Sequence, residues 1–162
     1  MTMDASSLAS LVMVCAPLVH PTTAQALVAV ESNFNPYAIG VVGGVLDRQP
    51  RFRAEALATV DELAANGWGF SAGLAQINSR NFERLGLTSH TAFDPCKNLQ
   101  AMQVVLTECF TRAAPDLSEQ AALRRALSCY YSGNFVTGFD GYVQRVAQAS
   151  SLRRVARSTQ PK

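Results

Sequence analysis

The chain has 162 residues, of which 48% are hydrophobic and 16% are charged. This length suits one domain, and the composition excludes a disordered chain because it supplies enough apolar surface for a core. A formal net charge of +2 is too small for a nucleic-acid-binding domain, so no nucleic-acid partner is expected. With only two histidines and no zinc-type cysteine spacing, neither a catalytic metal nor another cofactor is expected.

Apolar periodicity and cap signals predict a mainly α chain. The predicted helices cover residues 5–15, 23–32, 53–65, 95–110, 118–131 and 138–155, with a short one from Asn78 or Ser79 to Leu85. Thr22, with Gln25 three residues later, is typical of a capping box, and Asp94-Pro95 is typical of an N-cap followed by a first-turn proline. The strongest strand signal surrounds Gly43-Gly44 and predicts a small β-hairpin near 41–46.

The organisation along the chain indicates a single domain, residues 1–162, without linkers or repeats. Basic residues gather near the end, which predicts a flexible, solvated basic tail from about residue 156; the alternative is a tether to an anionic surface or a partner. The apolar run at 8–19 lacks the basic start and the cleavage site of a signal peptide, so we expect it to be part of the folded domain. No stretch is long enough to span a membrane.

Four cysteines, at positions 15, 96, 109 and 129, suit two disulfides in an oxidising compartment, with buried free thiols as the alternative. The helices at 95–110 and 118–131 are joined by a short loop, so they are expected to pack antiparallel. In that register Cys96 lies near Cys129. Cys109 lies several residues out of register with Cys129, and at about 1.5 Å rise per residue that distance is too long for a disulfide. The favoured pairing is therefore Cys96–Cys129 with Cys15–Cys109.

Glu31 stands out because it ends a helix that is apolar on every face, where a carboxylate is normally excluded. Desolvation raises the pKa of such a carboxyl, and the negative end of the helix dipole acts in the same direction. A carboxyl that stays protonated near neutral pH can serve as a general acid. The alternative is a carboxylate at a frayed helix end that reaches water or an arginine.

Three blocks that follow in order carry a family resemblance: ESNFNPYA at 31–38, GLAQIN at 73–78 with Ser71 two residues before, and ALSCYYSG at 126–133, preceded by Asp94-Pro95 and Asn98-Leu99. The first resembles the signature around the catalytic glutamate of lytic transglycosylases with a lysozyme-like fold. The others look like later blocks of that family. The insertion at 41–70 is similar to the branch that accompanies type IV secretion and conjugation machineries. The resemblance implies a lysozyme-like, mainly α single domain.

The family implies a reaction that needs one carboxyl group. Glu31 would protonate the oxygen that links N-acetylmuramic acid to N-acetylglucosamine, with help from the substrate's acetamido group. It would then take the proton of the muramic 6-hydroxyl, which closes a 1,6-anhydro ring. The cut would open the wall for an envelope-spanning secretion or conjugation complex, in the periplasm.

Six further residues are candidates for substrate binding: Ser32, Gly73, Gln76, Asn78, Tyr130 and Tyr131. Ser32 is expected to bond Glu31 or a sugar, and the amides of Gln76 and Asn78 to bind acetamido or hydroxyl groups; helix-end and capping roles are the alternatives. Tyr130 is expected to orient Glu31 or stack on a sugar, or else to be a core aromatic. Gly73 would let the backbone approach substrate or the Glu31 helix.

Two positions depart from the family pattern. Tyr131 stands where the family usually has asparagine and should not inherit its role, and Ala75 replaces a common methionine. Four aromatic residues are further candidates for the walls of a saccharide groove: Phe34, Tyr37, Trp68 and Phe70.

Two other functions remain open at this point. A hydrolytic muramidase on the same scaffold would use water and would want a second carboxylate. A non-catalytic glycan-binding scaffold protein is supported only by the change at Tyr131.

Overall fold

The computed structural model describes the backbone of residues 2–113 and 115–158, and side chains as far as residue 151. The helices are α1 (Ala5–Cys15), α2 (Pro21–Ser32), α3 (Arg53–Ala65), α4 (Pro95–Arg112), α5 (Glu119–Ser132) and α6 (Tyr142–Ser158). The mainly α fold class is confirmed, and most predicted helices lie within a few residues of their predicted bounds. The predicted basic tail from about 156 falls largely outside the described residues and stays a prediction.

A three-stranded antiparallel sheet lies between α2 and α4 in the chain, in the order β1 (Ile39–Val41), β2 (Phe70–Ala72) and β3 (Ile77–Asn78). The hairpin predicted near 41–46 is wrong in its pairing, because Val41 pairs with Phe70. The next amide, on Val42, donates to the Gly69 carbonyl at 2.9 Å, so the partner strand comes from beyond α3.

Two local helix predictions are also wrong, one in its N-cap and the other in its helix type. α2 begins at Pro21, and the His20 ring accepts a hydrogen bond from the Thr22 amide, so His20 rather than Thr22 is the N-cap. Proline suits the first helical position because the amide there needs no helical partner. The short helix predicted up to Leu85 is instead a pair of 3₁₀ turns, Ser79–Asn81 and Glu83–Leu85, which end at Gly86.

Helix α2 passes through the core, as its all-apolar face pattern predicts. Ala24, Ala26, Leu27 and Val28 are fully buried. Helix α6 covers this helix with Val143 and Val146, and α1 adds Leu8 and Val12 to the same core. The packing holds the C-terminal turn of α2, and with it Glu31, against the rest of the domain.

The disulfides are Cys15–Cys96, which joins α1 to α4, and Cys109–Cys129, which joins α4 to α5. The predicted pairing is wrong because the Cα atoms of Cys109 and Cys129 lie 5.7 Å apart, so α4 and α5 do not keep the antiparallel register on which the prediction relied. Leu106 and Leu123 line the same surface pocket, while Cys129, further along α5, bonds to Cys109. Distance from the connecting loop therefore does not identify facing residues.

Candidate active site

A cleft of about 380 Å³ opens where the end of α2, the sheet, the 3₁₀ turns, α4 and α5 meet. That volume suits a small ligand or part of a polymer. Five of the predicted site residues line it: Glu31, Gln76, Asn78, Tyr130 and Tyr131. Ser32 and Gly73 lie outside its lining, as do the four aromatic residues predicted to line a saccharide groove.

Glu31 projects from the last turn of α2, which ends where Asn33 adopts a left-handed backbone conformation with φ 50°. Its side chain is partly buried. Burial raises the pKa of Glu31 to about 7, and the nearby Tyr142 hydroxyl and the charge of Arg145 oppose that rise. A carboxyl with this pKa is present in both protonation states near neutral pH, so it can both donate and accept a proton.

Tyr142 is the first residue of α6, and its side chain lies near Glu31 where α6 packs against α2. Its buried hydroxyl has no hydrogen-bond partner of good geometry among the described residues, yet it lies near enough to the carboxyl that the two groups shift each other's pKa. Burial, and then the charge of Glu31, raise the pKa of Tyr142 well above its usual value. Tyr142 therefore stays a neutral donor aimed at Glu31.

Tyr131 and Arg145 flank the Tyr142 ring. The rings of Tyr131 and Tyr142 stack with centroids 4.8 Å apart, and the Arg145 guanidinium carbon lies 5.9 Å from the Tyr142 ring centroid. Tyr131 thus acts on the site through ring packing, which an asparagine could not provide.

Tyr130 is bonded to the wall of the cleft. Its hydroxyl donates to the Ala75 carbonyl at 2.7 Å, so the hydroxyl is used to hold the 73–76 turn against α5 and does not bond Glu31. Burial, followed by the charge of Glu31, raises its pKa well above the usual value. The part of Tyr130 that a ligand in the cleft can meet is its ring.

Gln76 adopts a left-handed backbone conformation with φ 50°, which a residue with a side chain rarely takes. Its amide nitrogen donates to the Ala38 and Gly73 carbonyls at 2.9 and 3.0 Å. Its amide oxygen would lie 2.9 Å from a Cβ on Gly40, so only glycine fits beside it. One amide proton thus bonds Ala38, just before β1, and the other bonds Gly73 in the turn, while no described residue donates to the amide oxygen.

Gly73 lies in the turn between β2 and β3, outside the lining of the cleft. It is buried with φ 82°, and a Cβ there would lie 2.3 Å from the Asn98 amide nitrogen. The close approach is thus to Asn98 of α4, whereas the prediction named substrate or the Glu31 helix; contact of Gly73 with substrate stays a prediction. Asn98 accepts from the Ala75 amide at 2.8 Å and donates to the Ala72 and Ala92 carbonyls at 2.9 and 2.8 Å.

The two remaining predicted residues make local hydrogen bonds. Ser32 donates to the Val28 carbonyl one turn earlier at 3.2 Å, which corresponds to its helix-end alternative. Asn78 accepts from the Arg80 amide at 3.0 Å, which corresponds to its capping alternative, although it also lines the cleft.

One group of charged side chains on the cleft, here called the arginine end, consists of Arg80, Arg84, Glu108 and Arg112. Arg84 donates to both Glu108 oxygens, at 3.0 and 3.3 Å. Sequence reasoning missed this group, and it missed Tyr142 and Arg145. A signal for Tyr142 was present, because a tyrosine shares the apolar face of Val143 and Val146, and a buried tyrosine hydroxyl needs a partner.

Within the described part of the chain, no group of three or more His, Cys, Asp or Glu side chains is arranged to hold a metal ion. Over the same residues, no helix combines the length and apolar character that crossing a bilayer requires.

Comparison with known proteins decides the family. Residues 13–140 match the transglycosylase SLT domain. The chain belongs to this family. The resemblance to lytic transglycosylases that the three sequence blocks carry is thereby confirmed.

Two relatives are similar over most of the chain. It is 50% identical over 146 residues to the type IV secretion system protein virB1 of Brucella abortus biovar 1 (strain 9-941), an alignment that covers 85% of this chain and 61% of that protein. It is 40% identical over 139 residues to protein virB1 of Agrobacterium fabrum (strain C58 / ATCC 33970), with 84% and 56% covered. The chain thus spans less than two thirds of the length of these relatives. No solved structure matches it.

Proposed function

We propose that this chain is a lytic transglycosylase that cleaves the β-1,4 bond between N-acetylmuramic acid and N-acetylglucosamine and leaves 1,6-anhydromuramic ends. The observation that carries the proposal is Glu31, a partly buried carboxyl in a cleft, with a pKa of about 7. Such a group can give a proton and then take one at the same pH. Membership of the transglycosylase SLT domain family supports this assignment.

The reaction balances with Glu31 alone. The protonated carboxyl gives its proton to the glycosidic oxygen as the bond to the muramic anomeric carbon breaks, and the substrate's acetamido oxygen stabilises the positive charge at that carbon. The Glu31 carboxylate then takes the proton of the 6-hydroxyl, whose oxygen bonds to the anomeric carbon. Glu31 ends protonated, and no water is consumed. Tyr142 would hold the carboxyl in place during both transfers.

Hydrolysis by the same cleft is the main alternative, and it would use two carboxylates. Among the described lining residues the second carboxylate is Glu108, which is bonded to Arg84 through both oxygens. A carboxylate already occupied by a guanidinium is poorly placed to activate water, which favours the route with one carboxyl group.

The proposed biological setting rests on the names of the relatives. A protein that is 50% identical is named as a type IV secretion system protein, and we propose that this chain opens the wall locally for such an apparatus, or for a conjugation apparatus. This role would place it in the periplasm, against glycan strands and envelope-spanning secretion proteins. Two disulfides fit that oxidising compartment.

Mass spectrometry of the products from purified peptidoglycan tests the proposal. Wild type should release anhydro-muropeptides and Glu31→Gln should release none, while the control Glu62→Gln, an exposed carboxylate on α3, should behave as wild type. Reducing ends that depend on both Glu31 and Glu108 would identify a muramidase. Binding of glycan without cleavage by wild type would identify a scaffold protein.

A further inference from the structure

Positive charge at the arginine end exceeds what the local acid can balance. Glu108 is its one carboxylate among the described residues, and Arg84 already neutralises it. Arg80 and Arg112 form no salt bridge with any described residue. Two guanidinium groups therefore face one cleft without an acidic partner.

Arg112 is also held in place. Its guanidinium carbon lies 5.7 Å from the Phe135 ring centroid, and Nη1 lies 3.9 Å from Cys129 Sγ in the disulfide that joins α4 to α5. At Arg80 the backbone alone is fixed, because its amide donates to Asn78 Oδ1 at 3.0 Å. A charged group held in position before binding, as Arg112 is, loses little freedom when a ligand arrives, and a guanidinium matches a carboxylate with two parallel hydrogen bonds.

Building on the proposed function, we propose that the arginine end binds carboxylates of the peptide attached to muramic acid, through Arg80 and Arg112. The acetylated sugar backbone offers hydroxyl and acetamido groups, whereas the peptide offers carboxylates. Glu31 and the two arginines line the same cleft, so a strand whose sugar lies at Glu31 can bring its peptide to the arginines. The cleft then distinguishes peptide-bearing glycan from bare glycan.

The test compares two substrates, glycan strands that carry peptides and the same strands stripped of peptides by an amidase. Wild type should prefer the peptide-bearing strands by about tenfold in kcat/KM, mainly through KM, as expected for one or two charged hydrogen bonds. The double variant Arg80→Gln with Arg112→Gln should lose this preference. The matched control is Arg125→Gln, an exposed arginine of α5 outside the cleft, and it should keep the preference.

Two further measurements keep the result clear. Because Arg112 packs beside a disulfide, its replacement could disturb the fold, so the single variant Arg80→Gln is tested too. Its preference for peptide-bearing strands should be about threefold smaller than that of wild type. Co-sedimentation in a Glu31→Gln background should show the same preference in binding alone.

Equal activity of wild type on both substrates would overturn the inference and leave the proposed function intact. An equal loss on both substrates by the double variant would overturn it as well. Failure of wild type to form anhydro products from either substrate would instead contradict the proposed function.

Discussion

Asn98 and Tyr142 are both buried polar residues beside the cleft, 0% and 2% exposed, but their polar atoms have different surroundings. Asn98 makes three hydrogen bonds of 2.8–2.9 Å with backbone groups of the turn in front of it and of Ala92. The Tyr142 hydroxyl has no partner of good geometry among the described residues and faces Glu31.

The difference separates a structural contact from a functional one. A buried amide whose bonds are all made stabilises the fold, whereas a buried hydroxyl or carboxyl without a good partner costs stability. Sites that hold reactive groups keep such costs because the group must remain available. We therefore expect variants on the Asn98 side to change stability, and variants on the Tyr142–Glu31 side to change proton transfer.

The largest expected effect is that of Asn98→Ala. The Ala75 amide and the Ala72 and Ala92 carbonyls would lose their partner while buried, so the free energy of unfolding should fall by about 4 kcal/mol. Urea denaturation followed by circular dichroism measures it. The control is Asn66→Ala, at the exposed C-cap of α3. The Asn66 side-chain amide bonds only to the Glu62 carbonyl, so the expected loss is below about 1 kcal/mol. Equal losses in the two variants would remove the structural role given to Asn98.

Glu31→Gln should have the next largest effect, and it should stabilise the protein. The folded pKa of about 7 lies above the usual glutamate value of 4.5, so wild-type stability falls as pH rises from 4.5 to about 7 and stays low above that. The variant lacks this loss and should be more stable by about 3 kcal/mol at pH 8, with little difference at pH 4. Urea denaturation at both pH values measures it, with the exposed Glu62→Gln as control. A difference that is the same at both pH values would show that burial does not raise the pKa of Glu31.

Much of this site follows from local pattern. The all-apolar stretch before Glu31 predicts a core helix that ends in a desolvated carboxyl, and the structure has this arrangement. The start of α4 was predictable because both of its signals, the Asp94 N-cap and the first-turn Pro95, are adjacent in the sequence. The position of Gln76 on the cleft was predicted from its motif, but its two backbone hydrogen bonds were not, since they depend on where β1 lies.

What could not be predicted depends on tertiary geometry. The disulfide pairing depends on how α5 packs against α4 in three dimensions, which residue numbers do not contain. The partner strand of β1 lies beyond α3, outside the range over which hairpin signals act. Tyr142 and Arg145 meet Glu31 only because α6 packs on α2, far along the chain from it.

Tyr142→Phe should affect activity more than stability. Because the lost hydroxyl makes no well-formed bond, the free energy of unfolding should change by less than about 1 kcal/mol. The same hydroxyl lowers the pKa of Glu31, so its removal should raise that pKa and reduce kcat about tenfold by leaving the carboxyl less well held. In a pH–rate profile the limb at which Glu31 loses its proton should move to higher pH. Tyr37→Phe, which lies outside the cleft, should leave the profile where it is; a Tyr142→Phe profile that also stays there would mean that Tyr142 only fills space.

Arg145→Gln should give the smallest shift, in the same direction. Its charge lowers the pKa of Glu31 less than the Tyr142 hydroxyl does, and solvent screens the guanidinium because Arg145 is exposed. The pH–rate limb should therefore move upward by less than in Tyr142→Phe, and added salt should reproduce part of the shift in wild type. Arg145→Lys keeps the charge and should restore the wild-type position. If lysine fails to restore it, the guanidinium acts through its contact with the Tyr142 ring, since only the planar group can stack there.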